Sequence, residues 1–325
     1  MTDLERIGQR LVTGFPGTAL TPELVQVVKE YKIGNIILFR ENIASADQLR
    51  TLCADLQTLI RSETGHDAFI MIDQEGGAVT RLPESCINVP GSMALAATGD
   101  PETTYLAGKL TGEELRSLGV NFNLAPSVDV NCNPANPIIG VRSYGDTPAT
   151  VAKYAAGMIR GLQDGGVLCL AKHFPGHGDT AEDSHTGLAY SYRTVEELTA
   201  CELLPFEAAA EVGPRAVMVG HIVVPELTGD LPATLCADAI ALVPDAENTL
   251  IVTDSLAMGA ITDSYTPGEA AVQALQAGCD VLLMPDGLAD AYDAVLAAVQ
   301  NGTLSEDRLD LSVNKILRMK AQFCA

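Results

Sequence analysis

Residues 166–185 read GVLCLAKHFPGHGDTAEDSH, a short apolar run followed by a polar loop. The apolar run at 166–171 is continuous rather than alternating, which is typical of a strand that is covered on both faces. Pro175 and Gly176 then interrupt regular structure, and the loop carries many ionisable groups that would be costly to bury without partners. A loop of this kind, leaving the end of a buried strand, is a common place for catalytic groups.

The same unit recurs along the chain. Apolar runs alternate with segments of helical periodicity, among them 46–62, 101–118, 148–163, 194–212 and 269–277. We count eight runs, which end near Phe15, Phe39, Asp73, Ala125, Lys172, His221, Asp254 and Pro285. Eight strand-then-helix repeats without a linker predict an α/β fold, a single-domain (β/α)8 TIM barrel over residues 1–325. A doubly wound open sheet is the alternative, because a strand count made by eye can be wrong by one or two.

Local signals support these boundaries. Helix starts are predicted at Thr21-Pro22, Asp100-Pro101, Thr147-Pro148 and Thr194. Left-handed helix caps are predicted at Gly34, Gly119, Gly166 and Gly278, each just before a strand.

A barrel places functional groups where its strands end. Polar residues do follow the predicted strands: residues 40–42 after the second, 73–75 after the third, 123–129 after the fourth, then Lys172 and His173, His221, and Asp254. This distribution predicts an enzyme whose site lies at one end of the barrel.

Composition excludes several classes of protein. The formal net charge of −22 disfavours nucleic acid and anionic membranes as partners. No apolar run approaches the roughly 18–20 residues that span a bilayer, and the first residues lack a secretory pattern. The eight cysteines are scattered without a C-x-x-C pair, so they predict neither a zinc site nor a disulfide framework. We therefore expect a cytoplasmic protein.

Asp254 and the pair Asp183 and His185 are the candidate catalytic groups. Asp254 follows a buried strand, where it could act as a nucleophile or charge stabiliser, or could simply cap the next helix. Asp183 precedes His185 by two residues, and a neighbouring carboxylate would fix the imidazole tautomer and raise its basicity. Adjacent acid and histidine residues are also common by chance.

Cations near the strand ends could bind sugar hydroxyls, carboxylates or phosphates. Lys172, Arg81 and Arg142 are such cations in a chain that has few of them. Arg81 could equally form a salt bridge to Asp73 or Glu75. Asp73 could cap the glycine pair at 76–77, and His221 could be a core histidine with satisfied hydrogen bonds.

A bound metal is a further alternative, since His173, His177, Asp179, Asp183 and His185 offer nitrogen and oxygen ligands. However, Pro175 and Gly176 prevent the helical spacing of common zinc motifs between His173 and His177. No phosphate-binding glycine motif is present either. We expect no metal and no cofactor.

The loop Lys172-His-Phe-Pro-Gly-His-Gly-Asp-Thr180, closed by Asp183-Ser-His185, resembles the signature of the β-N-acetylglucosaminidase branch of glycoside hydrolase family 3. Similar segments extend over about residues 5–320. They include residues 73–77 with Arg81, residues 121–131, residues 139–145, residues 232–234 and residues 253–258.

The resemblance implies a TIM barrel in which Asp254 is the nucleophile and His185 is the acid/base, tuned by Asp183. It also implies that Asp73, Arg81, Arg142, Lys172 and His173 hold an N-acetylglucosamine ring. Ala78, Cys236, Ser255 and the stretch 240–248 depart from the family pattern. These departures concern the aglycone side and the choice of substrate more than the chemistry.

The expected activity is that of a retaining β-N-acetylhexosaminidase, which releases N-acetylglucosamine from peptidoglycan fragments or chito-oligosaccharides. A β-N-acetylglucosaminide phosphorylase is the first alternative, because a histidine acid/base leaves no fixed negative charge to repel phosphate. A β-glucosidase or xylosidase of the same family, a non-catalytic barrel and a metal-dependent hydrolase are the others. The sequence leaves the natural aglycone and the oligomeric state open.

Overall fold

The computed structural model of the chain describes residues 1–182, 184, 187–213 and 216–324. Its strands are β1 Leu11–Thr13, β2 Asn35–Leu38, β3 Phe69–Ile72, β4 Phe122–Asn123, β5 Leu168–Cys169, β6 Ala171–Phe174, β7 Ala189–Tyr190, β8 Ala216–Val219, β9 Ile222–Val223, β10 Leu250–Thr253 and β11 Leu282–Leu283. Each of the eight predicted apolar runs contains a strand or its start, and the fifth run contains β5 and the first residues of β6, with only Leu170 between the two strands.

The helices lie between these strands. They are α1 Asp3–Gly8, α2 Pro22–Tyr31, α3 Ala46–Thr64, α4 Ser92–Ala96, α5 Pro101–Ser117, α6 Pro148–Asp164, α7 Val195–Ala200, α8 Leu204–Val212, α9 Pro225–Thr228, α10 Ala237–Ile240, α11 Gly259–Thr262, α12 Pro267–Ala277, α13 Leu288–Gln300 and α14 Glu306–Phe323. Short 3-10 turns cover Arg40–Asn42, Gly140–Arg142 and Ala233–Leu235. Among the described residues, no helix has both the length and the apolar character needed to cross a membrane.

The strand pairings within the described residues are parallel and follow chain order. One sheet has the order β11-β1-β2-β3-β4-β5, a second has β10-β8-β6, and β7 pairs with β9. A parallel bridge between Val252 and Val281 links the second sheet to the region of β11. This is an α/β fold with a curled parallel sheet. A doubly wound sheet would reverse its strand order at a switch point, and these strands do not.

Alternate residues of the strands face two different cores. Ile37, Phe69 and Met71 point into the curl, where Ile316 and Phe323 of α14 pack against the same cluster. Their neighbours along β2 and β3 instead join the larger cluster between sheet and helices. This alternation follows from the two-residue period of a strand, and burial on both faces explains why the runs are continuously apolar.

Most predicted helix boundaries are confirmed. Thr21, Thr147 and Thr194 each accept a hydrogen bond from a backbone N–H of the first helical turn, as N-caps should. The helix predicted over 194–212 is wrong in one respect, because it is split into α7 and α8. Pro205 has no N–H to donate to the carbonyl of Cys201, so the helix cannot continue through this point.

The glycine caps are confirmed for three of the four positions. Gly119, Gly166 and Gly278 have positive φ. The prediction for Gly34 is wrong, since Lys32 is the left-handed residue that ends α2. Gly34 is instead required for close approach, because a Cβ there would lie 2.6 Å from Oε1 of Gln9.

Candidate active site

A cavity of about 380 Å³ opens at the carboxyl ends of the strands. It is lined by Asp73, directly after β3, and by Asp254, directly after β10. Lys172 and His173 reach it from β6. Parallel pairing keeps these ends level, since Thr253 of β10 and Phe174 of β6 are both in register with Val219 of β8. The register therefore brings residues that are far apart in sequence to one rim.

The structure places six of the eight predicted site residues in this cavity: Asp73, Arg81, Arg142, Lys172, His173 and Asp254. The other two, Asp183 and His185, lie outside the described residues.

Glu75 is the centre of the ion pairs in this cavity. Nε and Nη2 of Arg142 donate to its two oxygens at 2.9 and 2.7 Å, and Nζ of Lys172 lies 2.8 Å from Oε1. Burial by itself raises the pKa of Glu75, but Lys172 and Arg142 outweigh that effect and hold the pKa well below its ordinary value. Glu75 therefore stays ionised and fixes both cations at the cavity wall.

Asp73 joins the same network. Its Oδ1 accepts a hydrogen bond from Lys172 Nζ at 2.8 Å, and its Oδ2 lies 3.8 Å from Nη2 of Arg81. Burial lowers the pKa of Lys172, but Asp73 and Glu75 more than compensate and raise it. Three cations thus face two carboxylates in this network, and Asp254 in the same cavity balances the remaining positive charge.

Asp129 anchors the loop that follows β6. Its carboxylate accepts backbone N–H bonds from His173 and, at 2.7 Å, from His177. The Oδ2 atom also lies 2.8 Å from Nδ1 of His173. An ionised carboxylate can only accept, so Nδ1 carries a proton. Burial raises the pKa of Asp129, but the histidine ring of His173 leads the interactions that bring it below its ordinary value.

His177 faces its own loop. Its Nδ1 lies 2.7 Å from Oγ1 of Thr180, and its Nε2 lies 3.0 Å from Oγ of Ser184. Burial, followed by the nearby ring of His173, lowers its pKa. With both nitrogens used in hydrogen bonds, His177 supports the loop.

Asp254 is not a helix cap. Its Oδ1 accepts from the backbone N–H of Ser255 at 2.7 Å, whereas the next helix, α11, begins only after Met258. Burial raises its pKa, but His173, His221 and then Lys172 lower it below its ordinary value. An ionised carboxylate, partly withdrawn from water and open to a cavity, has the properties of a nucleophile.

His221 lies just after the strand β8 and next to Asp254 in space. It is fully buried, and its ring nitrogens lie 2.8 Å from Oγ1 of Thr234 and 2.8 Å from the carbonyl of Ser255. The geometry fits the core interpretation. Its position beside Asp254 adds an electrostatic contribution to that carboxylate.

Comparison with known proteins now settles the family. The profile of the glycosyl hydrolase family 3 N terminal domain matches residues 3–319. The chain belongs to glycosyl hydrolase family 3. The resemblance noted in the sequence is thereby confirmed.

Two curated relatives and one solved structure show what the chain is similar to. β-Hexosaminidase A of Pseudoalteromonas piscicida is 36% identical over 94% of this chain, which spans 56% of that protein. β-Hexosaminidase LpqI of Mycobacterium tuberculosis is 33% identical over 97% of this chain and 82% of its own length. The structure of a family 3 β-N-acetylglucosaminidase from Paenibacillus sp. str. FPU-7 superposes with a TM-score of 0.96 at 43% identity, covering 99% of this chain and 62% of that one.

Two members of this family 3 site were not singled out from the sequence. Glu75 and Asp129 are both carboxylates just beyond strand ends, which was the available signal. Their importance depends on partners far away in the chain, Arg142 and Lys172 for Glu75 and His173 for Asp129. Sequence spacing does not report such contacts.

The lowered pKa of Asp129 predicts a specific loss of stability in acid. Below the ordinary pKa of a carboxyl group, Asp129 binds a proton in the unfolded chain but remains ionised in the folded protein. The free energy of unfolding therefore falls as the pH drops from about 5 towards 2. We expect Asp129→Asn to be less stable at neutral pH and to show a shallower dependence on pH over that range. Urea unfolding followed by circular dichroism at a series of pH values measures both quantities.

Asp263→Asn is the matched control, because Asp263 is exposed. It should retain the slope of the unsubstituted protein. An Asp129→Asn slope equal to that of the control would contradict the role assigned to Asp129.

Proposed function

We propose that this family 3 chain is a retaining β-N-acetylglucosaminidase that acts through a covalent glycosyl-enzyme intermediate. The observation that carries the proposal is the placement of Asp254 in one cavity with Asp73, Lys172 and Arg142. An ionised carboxylate faces the space for a sugar, and fixed donors and acceptors surround that space. The names of the similar proteins support the same activity.

In the first step Asp254 attacks the anomeric carbon, and the leaving-group oxygen takes a proton from His185. In the second step His185 deprotonates water, which releases the sugar with net retention of configuration. Asp183 would hold the tautomer of His185. The roles of Asp183 and His185 rest on the residue types and on the family resemblance, since both residues lie outside the described part of the chain.

Sugar recognition is assigned to the charged wall of the cavity. Asp73 accepts hydrogen bonds from hydroxyl groups, while Arg81, Arg142 and Lys172 donate to them. His173 uses Nδ1 for Asp129, so its Nε2 is the ring atom available to the substrate. Glu75 holds Arg142 and Lys172 in place and thereby pre-organises the wall.

The proposal includes a closed, single-domain (β/α)8 barrel over residues 1–325. Three observations support closure: the strands follow chain order, β5 continues into β6 through Leu170 alone, and Val252 bridges to Val281. A closed barrel would bring Asp73, which follows β3 of the first sheet, to the same rim as Asp254 and Lys172, which belong to the second sheet. It would also make the site a pocket rather than a groove.

The natural substrate is proposed to be a peptidoglycan-derived fragment or a chito-oligosaccharide in the cytoplasm, within cell-wall recycling. All eight cysteines are unpaired, which is the usual state in a reducing compartment. The net charge of −22 makes nucleic acid an unfavourable partner.

Substrate preference tests the proposal. We expect turnover of p-nitrophenyl β-N-acetylglucosaminide to exceed that of the β-glucoside by at least about 10-fold in kcat/KM, because loss of even one methylene from an apolar pocket costs about 10–200-fold. Adding phosphate should leave the product as free N-acetylglucosamine. Nitrophenol release gives the rates, and phosphorus NMR detects any sugar 1-phosphate.

Two outcomes would favour a different activity for this chain. A similar protein from Cellulomonas fimi is named a β-N-acetylglucosaminidase/β-glucosidase, so equal rates on both sugars would favour dual specificity. Formation of the 1-phosphate would favour phosphorolysis. Faster turnover of the glucoside would contradict the proposed function.

A further inference from the structure

A second cluster of reactive side chains lies outside the catalytic cavity. Cys132 belongs to the loop after β4, while Cys201 and Glu202 lie in the break between α7 and α8. One potential ligand atom from each of the three lies within 4.8 Å of the other two. Cys132 Sγ is 3.4 Å from Oε1 of Glu202. The proposed glycosidase chemistry uses none of these groups.

Glu202 is the unusual member of the cluster. Its side chain is fully buried, and its Oε2 has no hydrogen-bond partner among the described residues. A buried carboxylate oxygen without a partner is costly.

We propose that Cys132, Cys201 and Glu202 form a binding site for a thiophilic divalent cation of the zinc class. Two sulfurs and one carboxylate are a donor set that suits zinc and not magnesium or calcium. Zinc binds sulfur at about 2.3 Å and oxygen at about 2.0–2.2 Å, so tetrahedral angles place the two ligand atoms about 3.6 Å apart. The observed separation of 3.4 Å between Cys132 Sγ and Glu202 Oε1 is close to that value.

Arg193 competes for the same ligands. Its Nε lies 2.9 Å from Glu202 Oε1, and its Nη2 lies 3.2 Å from Cys132 Sγ. The side chain is one-quarter exposed, and Asp179 lies 3.6 Å away. Arg193 can therefore turn towards Asp179 when a cation enters. This competition predicts that removal of the guanidinium strengthens cation binding.

The site lies beneath the loop that leads to the proposed acid/base. A Cβ on Gly176 would lie 2.5 Å from Cβ of Glu202, so loop and cluster are in direct contact. Nδ2 of Asn133, next to Cys132, donates to the carbonyl of Asp179 at 3.0 Å. A cation here would join the loop after β4 to the α7–α8 junction, directly under the segment 176–180.

Sequence spacing could not indicate this site. Cys132 and Cys201 are separated by about seventy positions, so no paired-cysteine motif exists. The break in the helix after α7 is what turns Cys201 and Glu202 towards the loop after β4.

The test is a titration of the reduced, chelator-treated protein with Co²⁺ alone, followed by displacement with Zn²⁺. We expect a thiolate-to-cobalt charge-transfer band that saturates at one equivalent. Binding must displace the thiol protons, so the affinity should rise with pH. Cys132→Ser and Cys201→Ser each leave one sulfur ligand, so each should weaken the band and weaken Zn²⁺ binding at least about tenfold. Glu202→Gln should weaken binding while retaining both sulfurs, and Arg193→Gln should tighten it.

Cys86→Ser is the control, since Cys86 is a partly buried cysteine elsewhere in the chain. It should bind the metal as the unsubstituted protein does, and circular dichroism checks that each variant is folded. The proposal is overturned if the reduced protein gives no charge-transfer band, or if the band keeps its full intensity in both Cys132→Ser and Cys201→Ser. It is also overturned if Arg193→Gln weakens binding. The measurement uses no sugar substrate, so its result is independent of the proposed activity.

Discussion

Replacing Asp254 by glycine is expected to lower kcat for an activated N-acetylglucosaminide by at least about 10⁴-fold, because the covalent route loses its nucleophile. The substitution leaves space beside the anomeric carbon. Added azide should enter that space, restore part of the rate and yield the α-glycosyl azide. Nitrophenol release measures the rate, and proton NMR of the product assigns the anomeric configuration.

Asp263→Asn provides the control for this experiment, since it changes an exposed aspartate away from the cavity. It should leave kcat unchanged. If the glycine variant kept most of its activity, or if azide gave a β-configured product, Asp254 would not be the nucleophile.

Glu75→Gln is expected to produce the second largest effect. The amide cannot neutralise Arg142 and Lys172, which would then face each other across a buried wall without their shared partner. Breaking a buried ion pair costs about 3–5 kcal/mol in the free energy of unfolding. Displacement of the two cations should also lower kcat/KM about 10²-fold. Urea unfolding and steady-state kinetics measure the two effects separately.

Glu84→Gln is the matched control, because Glu84 is exposed. It should change neither the free energy of unfolding nor kcat/KM. Glu75→Gln behaving like this control in both assays would contradict the proposed arrangement of the cavity wall. A variant that lost only stability would show that Glu75 does not position the substrate-binding cations.

The strand pattern of this fold could be predicted because burial on both faces leaves a direct mark on the sequence. The run 69–72 is apolar at every position, and the structure makes it the buried strand β3. Functional groups are expected at the ends of parallel strands, and this rule predicts Asp73, Lys172 and Asp254 as site residues from the sequence. Their register with neighbouring strands then places them at one cavity.

Contacts between distant residues could not be predicted in the same way. The ion pair between Glu75 and Arg142, and the contact between Asp129 and His173, depend on how the loops fold over the strand ends. The break after α7 was also missed, although Pro205 was visible, because helical periodicity continues on both sides of it. The meeting of Cys132 with Cys201 follows from that break and therefore had no signal of its own.

The most direct test of the proposed mechanism is to trap its intermediate. A 5-fluoro-N-acetylglucosaminyl fluoride has a good leaving group, and its ring fluorine slows the second step, so a covalent adduct should accumulate. Intact-mass spectrometry should find one sugar per chain, and peptide mapping should locate it on Asp254. An adduct on any other residue, or turnover without a protein adduct because the acetamido group of the substrate acts instead, would contradict the account.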